Sequence, residues 1–230
     1  MIVILDKVMN RVIMGSIIIL LLIGSYPLIS HLILQNESDE SQYTHMLDEN
    51  GDPNFDKLKA INPEIVGWIR VKDTKINYPI CQAADNSKYV NTNAYGRRSL
   101  SGSIFLDCQN AANFSDYYNV LYGHEMDGDK MFGGLEHFKN QDYLNKHTQG
   151  TLYYPGGKKQ IEIFSGIATD VSDRYMFTPQ KESDPLFASQ IVAKSSTYRD
   201  VYHGERVLAM TTCNQRETNG RTIVLAKILE

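Results

Sequence analysis

From Val12 to Leu34 the chain carries 23 consecutive residues without an Asp, Glu, Lys or Arg. At about 1.5 Å rise per residue, a helix of that length reaches roughly 35 Å, enough to cross a hydrocarbon core of about 30 Å. Pro27 and His31 weaken the outer third of the run, which allows the span to start near Met9. A cleaved signal peptide fits less well, because the run exceeds an h-region of about 7–15 residues and no A-x-A-like site follows. A buried core helix would show a polar face, and this run shows none. Residues 12–34 therefore read as an uncleaved membrane anchor. Lys7 and Arg11 precede it, and no Lys or Arg follows until Lys57. The positive-inside rule then keeps residues 1–11 in the cytoplasm and sends the remainder outside the cell.

Between Gln35 and Asp56 there are seven acids (Glu37, Asp39, Glu40, Asp48, Glu49, Asp52 and Asp56) and no Lys or Arg. Such a stretch repels itself, so residues 35–53 are predicted to be a solvated acidic stalk. Residues 54–230 are left as one outer domain, of a size that suits a single core. The net charge of -4 argues against a general nucleic-acid binder, which normally shows a basic excess. Three cysteines are too few for a disulfide scaffold and lack the paired spacing of a structural zinc site, so no metal or other cofactor is predicted.

Beyond Asp56 the pattern is mostly short strands. Gly67–Val71 and Ile76–Ile80 flank the polar turn Lys72-Asp73-Thr74-Lys75, as a hairpin would. Ser103–Leu106, Asn119–Tyr122, Thr151–Tyr154, Gln160–Ala168, Arg206–Thr212 and Arg221–Leu229 supply six more strands. Eight short strands with irregular connections predict a closed or nearly closed barrel, which removes exposed edges. Asp184 before Pro185 is a good helix start, and Phe187, Ile191, Tyr198 and Tyr202 recur at helical spacing, predicting a helix from Pro185 to about Val201. A shorter helix is predicted after Pro53. The fold class is mainly β with helical insertions.

Cys213 is the residue best placed for chemistry. It ends the apolar strand Val207-Leu208-Ala209-Met210 and opens into the polar run Asn214–Gly220, where a rigid scaffold can present a nucleophile. Cys81 lies inside a strand and reads as a small buried hydrophobe. Cys108 lies in a loop, and a Cys81–Cys108 disulfide stays open at this level. A thiol is only a few per cent ionised at neutral pH without a neighbouring base or cation. Of the six histidines, His31 is in the apolar run and His45 in the stalk, while His137, His147 and His203 read as solvated surface residues. His124 follows Val120-Leu121-Tyr122-Gly123 at a strand-to-loop transition like that of Cys213. Arg221 begins the last strand, and if the last two strands pair, it returns close to Cys213. There its guanidinium could hold the oxyanion of an attacked acyl carbon.

These three positions, in this order and behind an apolar anchor, resemble a sortase. Tyr122-Gly123-His124-Glu125-Met126 through Met131-Phe132-Gly133-Gly134-Leu135 is similar to the histidine segment of class B sortases, as is Ser101-Gly102-Ser103-Ile104-Phe105-Leu106-Asp107. Thr211-Thr212-Cys213 and Asn219-Gly220-Arg221-Thr222-Ile223-Val224 match the nucleophile and arginine segments. The resemblance covers roughly residues 54–230. The short connection between Cys213 and Arg221 is similar to that of class B-like enzymes that polymerise pilins.

The resemblance implies a sortase-like barrel and a membrane-anchored cysteine transpeptidase. Cys213 would attack the carbonyl of a Thr in a C-terminal sorting signal of a secreted protein or pilin, forming a thioester. His124 would move protons, Arg221 would hold the oxyanion, and Thr211 and Thr212 would contact the substrate. The acceptor would be an amine, of a cell-wall precursor or of a pilin Lys. The domain outside the membrane is predicted to be monomeric, with no nucleic-acid partner. Two alternatives stay open on the residues alone: a hydrolytic cysteine peptidase with the same dyad, and a non-catalytic membrane-tethered binding domain.

Overall fold

A computed structural model describes residues 2–170, 172–180, 182–213 and 220–230. The chain divides into a helical unit ending at Glu37 and a second unit, Ser38–Glu230. The first is one helix, α1 (Ile2–Glu37), of 36 residues. Its most apolar stretch has a mean hydropathy of 2.4, so α1 is long and apolar enough to cross a membrane.

The second unit is built on a barrel. β1 (Ile65–Val71) and β2 (Asn77–Cys81) form the expected hairpin, with Trp68 opposite Pro79 and Ile69 opposite Tyr78. Asp73 supplies the left-handed residue in its turn, at φ 59°. β3 (Ile104–Leu106) runs parallel to β2, and β4 (Tyr118–Gly123) runs antiparallel to β3. A small hairpin of β5 (Glu125–Met126) and β6 (Lys130–Met131) follows. β7 (Gln149–Tyr154) pairs with β1, and β8 (Gly157–Asp170) turns back on it through Gly156, at φ +106°. β9 (Thr197–Tyr198) adds to the outside of β8. β10 (Val207–Cys213) runs parallel to β4, and β11 (Gly220–Ile228) pairs with β10 on one side and with β8 on the other. That last pairing closes the eight-stranded barrel β11-β10-β4-β3-β2-β1-β7-β8. The 14-residue length of β8 makes closure possible, since its first part serves β7 and the rest serves β11.

Alternation along the strands fills two cores. Leu208, Met210, Val224 and Ala226 belong to the larger core, with Trp68, Ile69, Tyr78 and Leu121. Val207, Ala209, Ile223 and Leu225 face outward into a second cluster with Tyr118, Val120, Phe164, Phe187 and Ile191. β10 and β11 are therefore apolar at nearly every position, as strands buried on both faces are. Three helices have joined the barrel by this point in the chain: α2 (Phe55–Ile61), capped by Asn54, then α3 (Gln141–Lys146) and α4 (Arg174–Phe177).

Two sequence expectations are corrected. The helix predicted from Pro185 to Val201 is only α5 (Phe187–Lys194). It stops at Ser195, and Thr197 and Tyr198 pair instead with Gly166 and Ser165 of β8. A β-branched and an aromatic residue gain more on a sheet edge than in a helix. Tyr202 still reaches the outer core, stacking on Phe164 at 4.9 Å, so the aromatic spacing was coincidental with the helical period. The second correction concerns the acidic stalk. From Ser38 onward the segment is packed on the barrel: Glu40–Met46 is a 3-10 helix with Tyr43 and Met46 buried. Two of its acids are paired with bases, Asp39 with Lys130 at 3.0 Å and Asp52 with Lys158 at 2.7 Å. Counting charges missed the two apolar side chains that pull the segment down.

Candidate active site

The parallel register of β4 and β10 sets Tyr122 opposite Thr211 and Gly123 opposite Thr212. His124 and Cys213 each follow directly on that last registered pair. Across the antiparallel ladder Cys213 pairs with Arg221, which in turn pairs with Thr169 of β8. Neighbouring strands lie about 4.8 Å apart, so the backbone of Arg221 lies one strand spacing from that of Cys213. The side chain of Cys213 and the run 214–219 lie outside the described residues.

His124 is held from two directions. Its backbone carbonyl accepts the Phe132 N–H at 3.0 Å. Its ring lies 2.7 Å from the Val90 carbonyl through Nε2, and since a carbonyl only accepts, Nε2 carries the proton. Two glycines make this approach possible. A Cβ on Gly123 would lie 2.4 Å from Ile104 Cδ1 and 2.7 Å from Phe132 Cδ2. Gly102, at φ +58°, brings its Cα so close to the Val90 segment that a Cβ would lie 2.6 Å from the Val90 carbonyl oxygen.

A cleft of about 450 Å³ runs beside this row, lined by Val90, Phe105, Tyr122, Phe177, His124, Thr211, Thr212, Arg221 and Asn86. Its walls are largely apolar, with polar groups gathered at few points, as in most small-ligand and peptide sites. Behind one wall, Asp107 is buried and accepts from the Tyr122 hydroxyl at 3.0 Å and from Asn86 Nδ2 at 2.8 Å. Asn86 in turn accepts the Cys108 N–H at 2.8 Å, so its amide is fixed from both ends. Burial, and then the Asp107 charge, push the Tyr122 phenol well above its ordinary range. Arg221 donates from Nη1 to the Gly220 carbonyl at 2.8 Å. The Ser172 N–H and hydroxyl, with a smaller share from the Arg221 charge, hold the exposed Asp170 carboxyl below the usual carboxylate range.

His124, Arg221, Thr211 and Thr212, four of the five residues singled out in the sequence, line the cleft, and the backbone of Cys213 lies within the same row. The Thr211 hydroxyl is committed to the Leu121 carbonyl at 2.9 Å. The remaining histidines of the second unit lie elsewhere. His137 pairs with Asp129, His147 stacks on Tyr143, and His45 stacks on Tyr95. Cys81 and Cys108 are free thiols. Burial pushes the Cys81 thiol up to about 12, which makes it a poor nucleophile. Sequence reasoning missed Asn86, Val90 and Phe177. Asn86 and Val90 come from the irregular connection between β2 and β3, where no period or motif marks them.

The sortase domain family matches residues 69–229. Sortase B of Staphylococcus aureus is 32% identical over 184 residues, which is 77% of this chain and 75% of that protein. Among solved structures, a Streptococcus pyogenes class B sortase involved in pilus biogenesis is 38% identical with a TM-score of 0.71, covering 76% of this chain and 98% of that one. Sortase B of Clostridium perfringens is 35% identical with the same TM-score, covering 77% of this chain and all of that one (100%).

Proposed function

The chain belongs to the sortase family, within class B, and is a cysteine transpeptidase; we propose that it is tethered to the cell membrane and joins secreted proteins to an amine. In this reading, α1 is the anchor, the N-terminus is cytoplasmic and the barrel stands outside the cell. Lys7 and Arg11 ahead of the apolar run support that orientation.

The Cys213 thiolate attacks the carbonyl carbon of a Thr in a C-terminal sorting signal. The tetrahedral oxyanion that forms needs donors aimed at it, and the Arg221 guanidinium, one strand away, can supply them. Collapse expels the amine of the following residue, which takes a proton from His124 and leaves a thioester on Cys213. The incoming amine then gives a proton to His124 as it attacks the thioester. Thr211 and Thr212 line the wall along which the peptide lies. The acceptor is an amine of a cell-wall precursor or a pilin Lys, and the likeness to a pilus-biogenesis enzyme supports the second.

One observation supports the reading above the others: Cys213 pairs with Arg221, His124 directly follows the last β4 residue in register with β10, and His124 and Arg221 both line the apolar cleft. The test is a peptide-library screen for acyl-enzyme by mass spectrometry, followed by product analysis with and without an added amine. An amide product supports transfer. Release to water alone in the presence of excess amine identifies a hydrolase, and absence of any adduct identifies a binding domain.

A further inference from the structure

Ser38 and Met131 are far apart in sequence, yet one phenol joins them. The Tyr78 hydroxyl donates to the Ser38 carbonyl at 3.0 Å and accepts the Met131 N–H at 2.9 Å. Ser38 is 0% and Tyr78 is 1% exposed, so no water competes for either bond. Burial raises the phenol far above its ordinary range, and both faces of the O–H stay committed. A second tie runs beside the first, from Asp39 Oδ2 to Lys130 Nζ at 3.0 Å. Tyr43 secures the same segment, meeting Tyr78 edge-on at 6.2 Å, and Met46 is buried with it.

The far ends of both ties are informative. Lys130 and Met131 are β6, whose partner β5 begins at Glu125, directly after His124. The next residue, Phe132, donates its N–H to the His124 carbonyl. From Tyr78 the path to His124 is thus two hydrogen bonds, one made by the Met131 N–H and one by the Phe132 N–H, joined by a single peptide step. At the near end, Ser38 follows the last residue of α1.

We propose that Ser38–Met46 is a strap that positions His124, with Tyr78 as the positioning residue that joins strap to hairpin. The strap sets the backbone of β5–β6, and Phe132 passes that setting to the histidine. The inference rests on the reading of His124 as the proton-transfer group. The apolar walls that would hold the peptide (Val90, Phe105 and Phe177) belong to other segments. Loosening the strap therefore lowers turnover and leaves substrate binding unchanged.

The test uses the full chain in lipid vesicles, the peptide selected by the acyl-enzyme screen, and hydroxylamine as the amine. Tyr78→Phe keeps the ring and its packing and removes both hydrogen bonds. Active sites are titrated with a labelled alkylating reagent, so kcat is read per competent site. The expected result is a fall in kcat of about tenfold, inside the roughly 10²-fold that small misplacements can cost, with KM unchanged. Hydrogen exchange at the Phe132 N–H rises with it. Lys130→Met, which cuts only the second tie, moves kcat and exchange in the same direction by less, and it carries the test if Tyr78→Phe fails to fold. A lower melting temperature with unchanged kcat per titrated site would make the strap a mere fastening and overturn the proposal. His124→Ala is the control: transfer surviving that change would defeat the assignment of His124, whereas an inactive His124→Ala beside a fully active Tyr78→Phe would defeat the strap alone.

Discussion

His124 donates its Nε2 proton to the carbonyl of Val90 at 2.7 Å, which leaves proton exchange with a substrate to Nδ1. The carbonyl that fixes this tautomer belongs to a loop, and the loop is kept in place by a glycine. Gly102 approaches so closely that a methyl group there would lie 2.5 Å from the Tyr89 carbonyl oxygen and 2.6 Å from that of Val90. Its φ of +58° also disfavours any side chain.

Gly102→Ala is accordingly expected to act at a distance. Strain and displacement together cost about 1–3 kcal/mol of stability. Because Val90 must move, the His124 ring loses its fixed orientation and kcat falls by roughly 10- to 100-fold at nearly constant KM. A thermal melt paired with steady-state kinetics checks both. Wild-type kcat in a destabilised Gly102→Ala protein would show that the Val90 contact does not matter to turnover.

The three cysteines are expected to separate cleanly. Cys213→Ala abolishes acyl-enzyme formation. Cys81→Ala leaves kcat intact and costs about 1 kcal/mol of stability, the usual scale for a small buried truncation. Cys108→Ala leaves turnover per active site unchanged. Alkylation at neutral pH should reach Cys81 last, since burial holds its thiol near 12. Peptide mapping after brief iodoacetamide treatment reads the order directly, and early modification of Cys81 in folded protein would contradict it.

Much of this architecture is legible in the residues themselves. Each of the eight barrel strands announced itself through apolar runs bounded by turns, and Gly123-His124 and Thr212-Cys213 stood at their ends. What the sequence could not supply is register. Nothing in the spacing of His124 and Cys213 says that β4 and β10 run side by side in parallel, yet that pairing, in register as far as Gly123 and Thr212, sets side by side the strand ends that the two residues follow. Nor does composition reveal a packed segment inside an acidic one: Tyr43 and Met46 are two apolar residues among many polar ones, and their burial depends on Trp68, Tyr78 and Tyr95 arriving from elsewhere. Tyr198 failed for the opposite reason. Its spacing suited a helix, but β8 offered an edge with free backbone partners.

The strap's attachment is expected to depend on pH at the acid end. The Ser41 hydroxyl and N–H, with Lys130, hold the Asp39 carboxyl at about 2, below its ordinary value of 3.8. A carboxylate whose folded pKa is depressed stabilises the fold above its unfolded pKa, and the contribution is lost as pH falls through the folded value. The window here runs from about pH 4 down to about pH 2. Across it, hydrogen exchange at the Tyr43 amide should accelerate before the barrel core opens. Asp39→Asn keeps a capping side chain and removes the titration, so its exchange should be flat across the same window. Equal pH dependence in both proteins would assign the effect to other carboxylates.

Arg221→Lys is expected to damage the enzyme far more than a charge-conserving change normally does. Arg221 stands between Cys213 and Thr169 in the strand register, and its guanidinium lines the cleft with one donor engaged by the Gly220 carbonyl. The remaining donors form a planar fork, able to hold an oxyanion and a neighbouring peptide carbonyl at once. Lysine offers a compact, strongly hydrated charge on a flexible stem and cannot reproduce that fork. Loss of one oxyanion donor costs on the order of 10²–10³ in kcat, or about 3–4 kcal/mol. The fold should be spared, because Arg221 is only partly buried and the apolar contacts of β11 lie further along, at Ile223, Val224 and Leu225. The measurement is kcat/KM for the selected peptide alongside a thermal melt. Rate lost at an unchanged melting temperature is the expected outcome. Near-native turnover in folded Arg221→Lys would instead hand the oxyanion to backbone N–H groups and leave Arg221 an ordinary strand-end charge.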